Sequence, residues 1–129
     1  GTLSGTNAIY DGINIVNPQL KTWTENYYNS TVAVANFYID CSKSNNQILI
    51  VNSSSILSFS NIPDNCAFRL TVYLKQNAVN NNVFFDGTVS WGAAGTPGFS
   101  KTVGLTDVVN LITTNGGVKW YGYVVGIGF

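Results

Sequence analysis

Side chains able to do chemistry are few and scattered along this chain. Six carboxylates stand at Asp11, Glu25, Asp40, Asp64, Asp86 and Asp107, and histidine is absent from the 129 residues. Histidine is the usual general base, and the Ser-His-Asp and Cys-His arrangements require it. A glycosidase would need two carboxylates flanking one bond. No two of the six lie within three residues of each other, and Glu25 is the one glutamate. Such a pair would have to be assembled by the fold. Gly116-Gly117 and Gly126-Ile127-Gly128 suit a turn and a crowded strand end, not a phosphate cradle. Cys41 and Cys66, without histidine, do not make a zinc set. They read as two small buried hydrophobes, placed near strand ends where a disulfide is permitted but not demanded. The sequence predicts no enzyme, no metal and no cofactor.

The groups suited to contact, in place of reaction, are aromatic and amide side chains. Trp91, Trp120, Tyr121 and Tyr123 can stack on sugars, although such residues more often anchor a core or an interface. The polar loop at 77–82 and the nearby tryptophan supply the candidate ligand-facing residues: Asn80, Asn81, Asn82 and Trp91. Asn29-Ser30-Thr31 and Asn52-Ser53-Ser54 match the glycosylation acceptor pattern, as an Asn- and Ser-rich chain does by chance.

Charge narrows the partners. Only 9% of residues are charged, and six bases balance six acids. No basic face is available to neutralise phosphates, so no nucleic-acid partner is expected. No apolar run approaches the roughly 20 residues of a membrane span, so no membrane partner is expected either. No charged stretch leading into an apolar run marks a signal peptide. The chain begins at Gly1 without Met, as a processed product or a fragment would.

The elements that must position these residues are strands. No helical period persists for ten residues, while short stretches of two-residue period recur about every ten residues with turn signals between them. Residues 66–76 are the clearest case: Phe68, Leu70, Val72 and Leu74 alternate with Arg69, Thr71, Tyr73 and Lys75, as in an antiparallel sheet with one wet face. From Val32 to Cys41, Ala33, Ala35, Phe37, Ile39 and Cys41 are expected on one face and Val32, Val34, Asn36, Tyr38 and Asp40 on the other. Further strands are expected at 47–52, 56–60, 83–85 and 88–91. Two β-rich runs flank Asn115-Gly116, where Asn and Gly supply the positive φ of a closing hairpin. The prediction is an all-β fold, an antiparallel β-sandwich or jelly roll spanning 29–129.

Residues 1–28 do not read as regular structure, yet they are too apolar for a solvated tail. Ile9, Tyr10, Ile13, Ile15, Leu20, Trp23 and Tyr27 predict an extended N-terminal arm lying on an apolar surface, either this domain's flank or a neighbouring subunit.

The order of motifs resembles a known family. Asn17-Pro18-Gln19-Leu20-Lys21-Thr22-Trp23-Thr24-Glu25, Leu57-Ser58-Phe59-Ser60-Asn61-Ile62-Pro63, and the strand from Phe68 to Gln76 follow one another. Val89-Ser90-Trp91-Gly92, Gly95-Thr96-Pro97, Asp107-Val108-Val109-Asn110-Leu111, and the stretch from Thr113 through Gly117 to Trp120-Tyr121-Gly122 complete the series. The series is similar to tailed-phage virion proteins of the marine and cyanophage type, which occur as head-decoration proteins and as tail-fibre modules. The likeness runs from about residue 13 to the end, and it departs at 77–82 and at Asn115, where the family has Asp. It implies a β-sandwich on the virion surface, assembled in the host cytoplasm, usually a homotrimer, with no chemistry of its own. The implied partners are further copies of itself and the major capsid protein or other virion proteins. A decoration (cement) protein linking subunits through its arm is the first expectation. A distal tail-fibre domain attaching to a host surface glycan is the second, and a cellular carbohydrate-binding module the third.

Overall fold

A computed structural model of the chain describes Gln19 and residues 21–129. Nine strands form in chain order: β1 (Tyr28–Val32), β2 (Asn36–Asp40), β3 (Asn46–Val51), β4 (Ser55–Ser60), β5 (Phe68–Gln76), β6 (Val83–Phe85), β7 (Val89–Ser90), β8 (Thr106–Thr113) and β9 (Trp120–Gly126). They make a six-stranded sheet, ordered β1-β3-β5-β8-β9-β7, and a three-stranded sheet, β2-β4-β6. One hydrophobic cluster lies between them, drawing Leu49, Leu70, Val72, Leu74, Val109, Leu111 and Trp120 from the large sheet and Ile39, Leu57, Val83 and Phe85 from the small one. This is the expected all-β sandwich.

Strand directions are mixed where an antiparallel arrangement was expected. The first six strands alternate between the layers, and same-layer neighbours run parallel: β1 with β3, β3 with β5, β2 with β4, β4 with β6. The chain thus winds through the two layers like a short solenoid. Antiparallel β8 and β9 then close the large sheet against β5. Inward alternation on β5 is as the sequence demands, with Phe68, Leu70, Val72 and Leu74 all buried.

The strand expected from Val32 to Cys41 divides at a bend over residues 33–35. Phe37, Ile39 and Cys41 turn inward as expected, but Ala33 and Ala35 are exposed and Val32 is fully buried. The chain changes layers here, and the parity of the inward positions flips with it. Small side chains at 33 and 35 leave the bend free of steric demand.

The β8–β9 hairpin forms, but its loop is longer than a tight two-residue reversal, and Asn115 does not take positive φ. Gly116 (φ 66°) and Gly117 (φ 82°) do. A Cβ on Gly117 would sit 2.5 Å from Ile62 Cδ1, so the left-handed backbone and the close approach both select glycine. The Asn115 side chain serves the turn otherwise. Its Oδ1 accepts from the Lys119 N–H at 3.0 Å and the Thr113 hydroxyl at 3.1 Å, while Thr113 Oγ1 accepts from the Gly117 N–H at 3.0 Å.

Candidate functional site

The described carboxylates are spent on architecture. Asp107 is buried on β8, where it accepts from the Ser100 N–H (2.6 Å), the Ser100 hydroxyl (2.8 Å) and the Gly128 N–H (2.8 Å). It therefore ties the loop before β8 and the residues after β9 to one point. Asp86 accepts from the backbone N–H and hydroxyl of Thr88. Asp64 caps the Asn65 N–H at 2.8 Å, and Glu25 accepts from Asn46 Nδ2 at 2.8 Å. Asp40 accepts from the Ser42 hydroxyl, the Asn61 amide and the Ser42 N–H, which hold its carboxyl below the usual range. Asp11 lies outside the described residues. Among the described residues no three of His, Cys, Asp and Glu come together as metal ligands would. No helix among them is long and apolar enough to cross a membrane.

The two cysteines part company. Both thiols are free, Cys41 buried and Cys66 exposed, so the expectation that both are buried fails for Cys66. Cys66 precedes β5 in the turn after Pro63, beyond the reach of the core. Burial, with the Asp40 charge next to it, pushes the Cys41 thiol up to about 12. The thiolate is the reacting form. At pH 8, the buried Cys41 should therefore alkylate far more slowly than the exposed Cys66. Mass spectrometry of the native protein after a timed iodoacetamide pulse checks this, and equal labelling of both would contradict it.

Of the four candidate ligand-facing residues, Asn81 and Asn82 line one cleft, and Asn80 and Trp91 lie outside it. Asn80 takes a left-handed turn conformation (φ 58°) and is exposed. Asn81 is buried: its amide donates to the Ala78 carbonyl at 3.2 Å, and its own carbonyl accepts from the Gln76 amide. It holds the loop in shape. Asn82 is exposed and borders a cleft with Phe84, Pro97 and Lys101. Trp91 lies on the other side of Pro97. Its ring packs edge-on against Phe85 (5.7 Å between centroids) and Phe99 (6.3 Å). It also covers Gly122, where a Cβ would meet the indole at 2.8 Å. With Pro97 and Tyr123, Trp91 lines an apolar groove of about 350 Å³.

Of the arm residues, Ile9, Tyr10, Ile13, Ile15 and Leu20 lie outside the described residues. Trp23 and Tyr27 are described and exposed, at 68% and 63%. The Trp23 indole N–H reaches Glu25 Oε1 at 3.4 Å. The root of the arm is pinned at Glu25 and Asn26: Asn46 Nδ2 donates to both, and the Ser44 hydroxyl donates to the Asn26 carbonyl at 2.8 Å.

Two sheet faces complete the surface; of these the sequence reading singled out Tyr121 and Tyr123 as contact groups, but not the faces that carry them. On the outer face of β9, Tyr121, Tyr123 and Val125 are each 53% exposed. Next to them, the half-buried Ile112, Val108, Tyr73 and Ile48 continue the apolar character across β8, β5 and β3. A polar seam crosses this face: the Thr71 hydroxyl donates to Asn110 Oδ1, and Asn110 Nδ2 donates to Tyr123 Oη, both at 2.8 Å. On the outer face of the small sheet, Ile56 and Phe84 stand directly opposite each other and Tyr38 is exposed nearby. The alternation in Trp120-Tyr121-Gly122-Tyr123-Val124-Val125 carried the signal for the first face, since inward Trp120 forces the tyrosines out. No family model, no curated protein and no solved structure matches the chain.

Proposed function

We propose that this protein is a non-enzymatic structural component of a tailed-phage virion, a decoration protein that docks on the head shell and links subunits there. The order of motifs in the sequence supplies the virion. The observation that carries the docking is the outer face of the large sheet, where Tyr121, Tyr123 and Val125 stay half exposed beside Tyr73, Val108 and Ile112. Tyrosines at such a face give large contact area at low entropic cost and keep a hydrogen-bonding tip. The chain is neutral overall, so association would lean on apolar contact more than on long-range charge.

The test uses the full chain, fluorescently labelled at Cys66, added to phage heads lacking this protein. Saturable binding to the shell, with added density on the capsid surface in electron micrographs, is expected. Density on the tail and none on the shell would refute the decoration reading.

A tail-fibre role in host attachment remains the second reading, favoured by the groove that Trp91, Pro97 and Tyr123 line. An aromatic groove of this kind suits the apolar face of a sugar ring. In that case the free protein should block adsorption of the phage to its host.

A further inference from the structure

The large sheet has two edges, and they are finished differently. At one edge β1 presents polar residues, Asn29, Ser30 and Thr31. At the other, β7 covers β9 only where Val89 pairs with Trp120 and Ser90 with Tyr121. The chain then leaves the edge through a short 3₁₀ turn, Gly92–Ala94. Beyond Tyr121, β9 therefore runs on with β8 on one side and no strand on the other.

The direction of the backbone at this edge follows from two hydrogen bonds. The Trp120 N–H donates to the Thr88 carbonyl at 2.9 Å, so Trp120 faces β7, and strand alternation turns Gly122 and Val124 to the same side. Independently, the Thr71 N–H donates to the Asn45 carbonyl on the β3 side at 2.8 Å. Val72 therefore faces β8 and its partner Val109, which turns Val109 away from its β9 neighbour Val124. Both routes leave the Val124 N–H and C=O pointing out of the sheet. Neither has a backbone partner among the described residues.

Exposed edges are usually guarded by lysine, other charges or proline. Strand β9 carries none of these, and Tyr121, Tyr123 and Val125 on it are half exposed. The groove of Trp91, Ala94 and Pro97 runs beside Gly122 and Val124, and its lining holds no charge. Past Val124 the register against β8 shifts, so an added segment must be short. The 91–97 loop stands beside the edge and obstructs a second sheet laid against it, while a single extended segment is admitted. We infer that the free edge of β9 over residues 122–125 is the docking site for an uncharged, extended segment of a partner protein, which adds to the sheet as a short strand where β7 stops. The segment's backbone bonds the Val124 N–H and C=O, and an apolar side chain on it enters the groove against Trp91 and Val124. A sugar ring would fill the groove and leave the edge groups unused. The site goes beyond the docking reading, which uses the outer face of the sheet and not its edge.

The probe is a capped peptide of alternating valine and threonine, added to the isotope-labelled full-length chain. Amide NMR shifts centred on residues 122–125 are expected, and solvent exchange of the Val124 amide should slow several-fold as peptide is added. Val124→Pro removes the edge donor and spares the β8 ladder, so it should melt near wild type and show no shifts on adding peptide. Tyr123→Pro removes a donor to β8 and should melt far lower. Shifts retained in Val124→Pro would overturn the inference. If Val124→Pro does not fold, the same peptide methylated on its backbone nitrogens decides. It should bind many-fold more weakly, and equal binding would mean contact without strand pairing and overturn the inference. Galactose moving the Trp91 indole signal, while the peptide leaves Val124 unmoved, would make the groove a sugar site instead. Shifts at 122–125 that follow protein concentration without peptide would make the edge a self-pairing one, and the inference would fall. Any of these failures leaves the shell-binding test of the decoration reading to stand by itself.

Discussion

Val72→Asp should abolish cooperative folding, whereas Lys75→Asp, three residues along the same strand, should leave the melting curve nearly unchanged. Val72 is fully buried at the centre of the large sheet, opposite Val109 on β8 and Gln47 on β3. The substitution removes roughly 1.5–3 kcal/mol of side-chain burial. It also places a carboxylate in the core beside Gln47, whose amide already donates to the Asp40 and Ser44 carbonyls, at an effective cost of several kcal/mol even after relaxation. Domains of this size have only about 5–15 kcal/mol in total. Lys75 is exposed on the opposite face of the same strand, where a substitution is worth about 0.5 kcal/mol or less. Far-ultraviolet circular dichroism against temperature reads both. A sharp Val72→Asp transition near that of wild type would mean that the strand is not central to the core.

That contrast was legible in the sequence because β5 alternates strictly over its whole length. Other features were less so, for identifiable reasons. Two-residue alternation is the same for parallel and antiparallel neighbours, so it gave β3 and β5 their faces and not their directions. The continuous run Ile48-Leu49-Ile50-Val51 was the available cue to parallel pairing. At residues 33–35 the chain changes sheets, and no local propensity marks a change of layer. Asp107 looked like any other scattered acid. Its burial depends on N–H groups at 100 and 128, which only the fold brings together. The binding surfaces divided similarly. Asn81 was indistinguishable from its exposed neighbours Asn80 and Asn82, because an asparagine that braces a loop and one that faces outward have the same composition.

The solenoid-like winding has a consequence for how the layers hold together. The three-stranded sheet has only parallel pairings of five and three residues, so its place depends on side chains that cross the core. Phe59 of β4 and Phe85 of β6 stack at 6.1 Å between centroids, and Phe59 meets Trp120 of β9 at 4.5 Å. Phe85 in turn touches Trp91 and Phe99 beside the groove. One aromatic chain therefore links the small sheet, the closing hairpin and the Trp91 loop.

Trp120→Ala should accordingly cost about 3–5 kcal/mol, the range for emptying a large aromatic site in a core. Trp120 is fully buried and is the largest side chain so placed. Besides Phe59 it meets Phe68 edge-on at 6.1 Å, so its removal opens a cavity where β4, β5 and β9 converge. A melting temperature lower by on the order of 10–20 °C is expected. Trp120→Phe separates packing from polarity. The indole Nε1 is buried and has no hydrogen-bond partner among the described residues. An unpartnered buried donor costs about 1–3 kcal/mol, and phenylalanine removes it while keeping a ring against Phe59. Trp120→Phe should therefore lose less than half of what Trp120→Ala loses. If the two variants melt together, the indole hydrogen bonds to something after all, and its partner lies outside the contacts described. If Trp120→Ala melts within a few degrees of wild type, the hairpin is held by its backbone ladder alone and the aromatic chain does not join the layers.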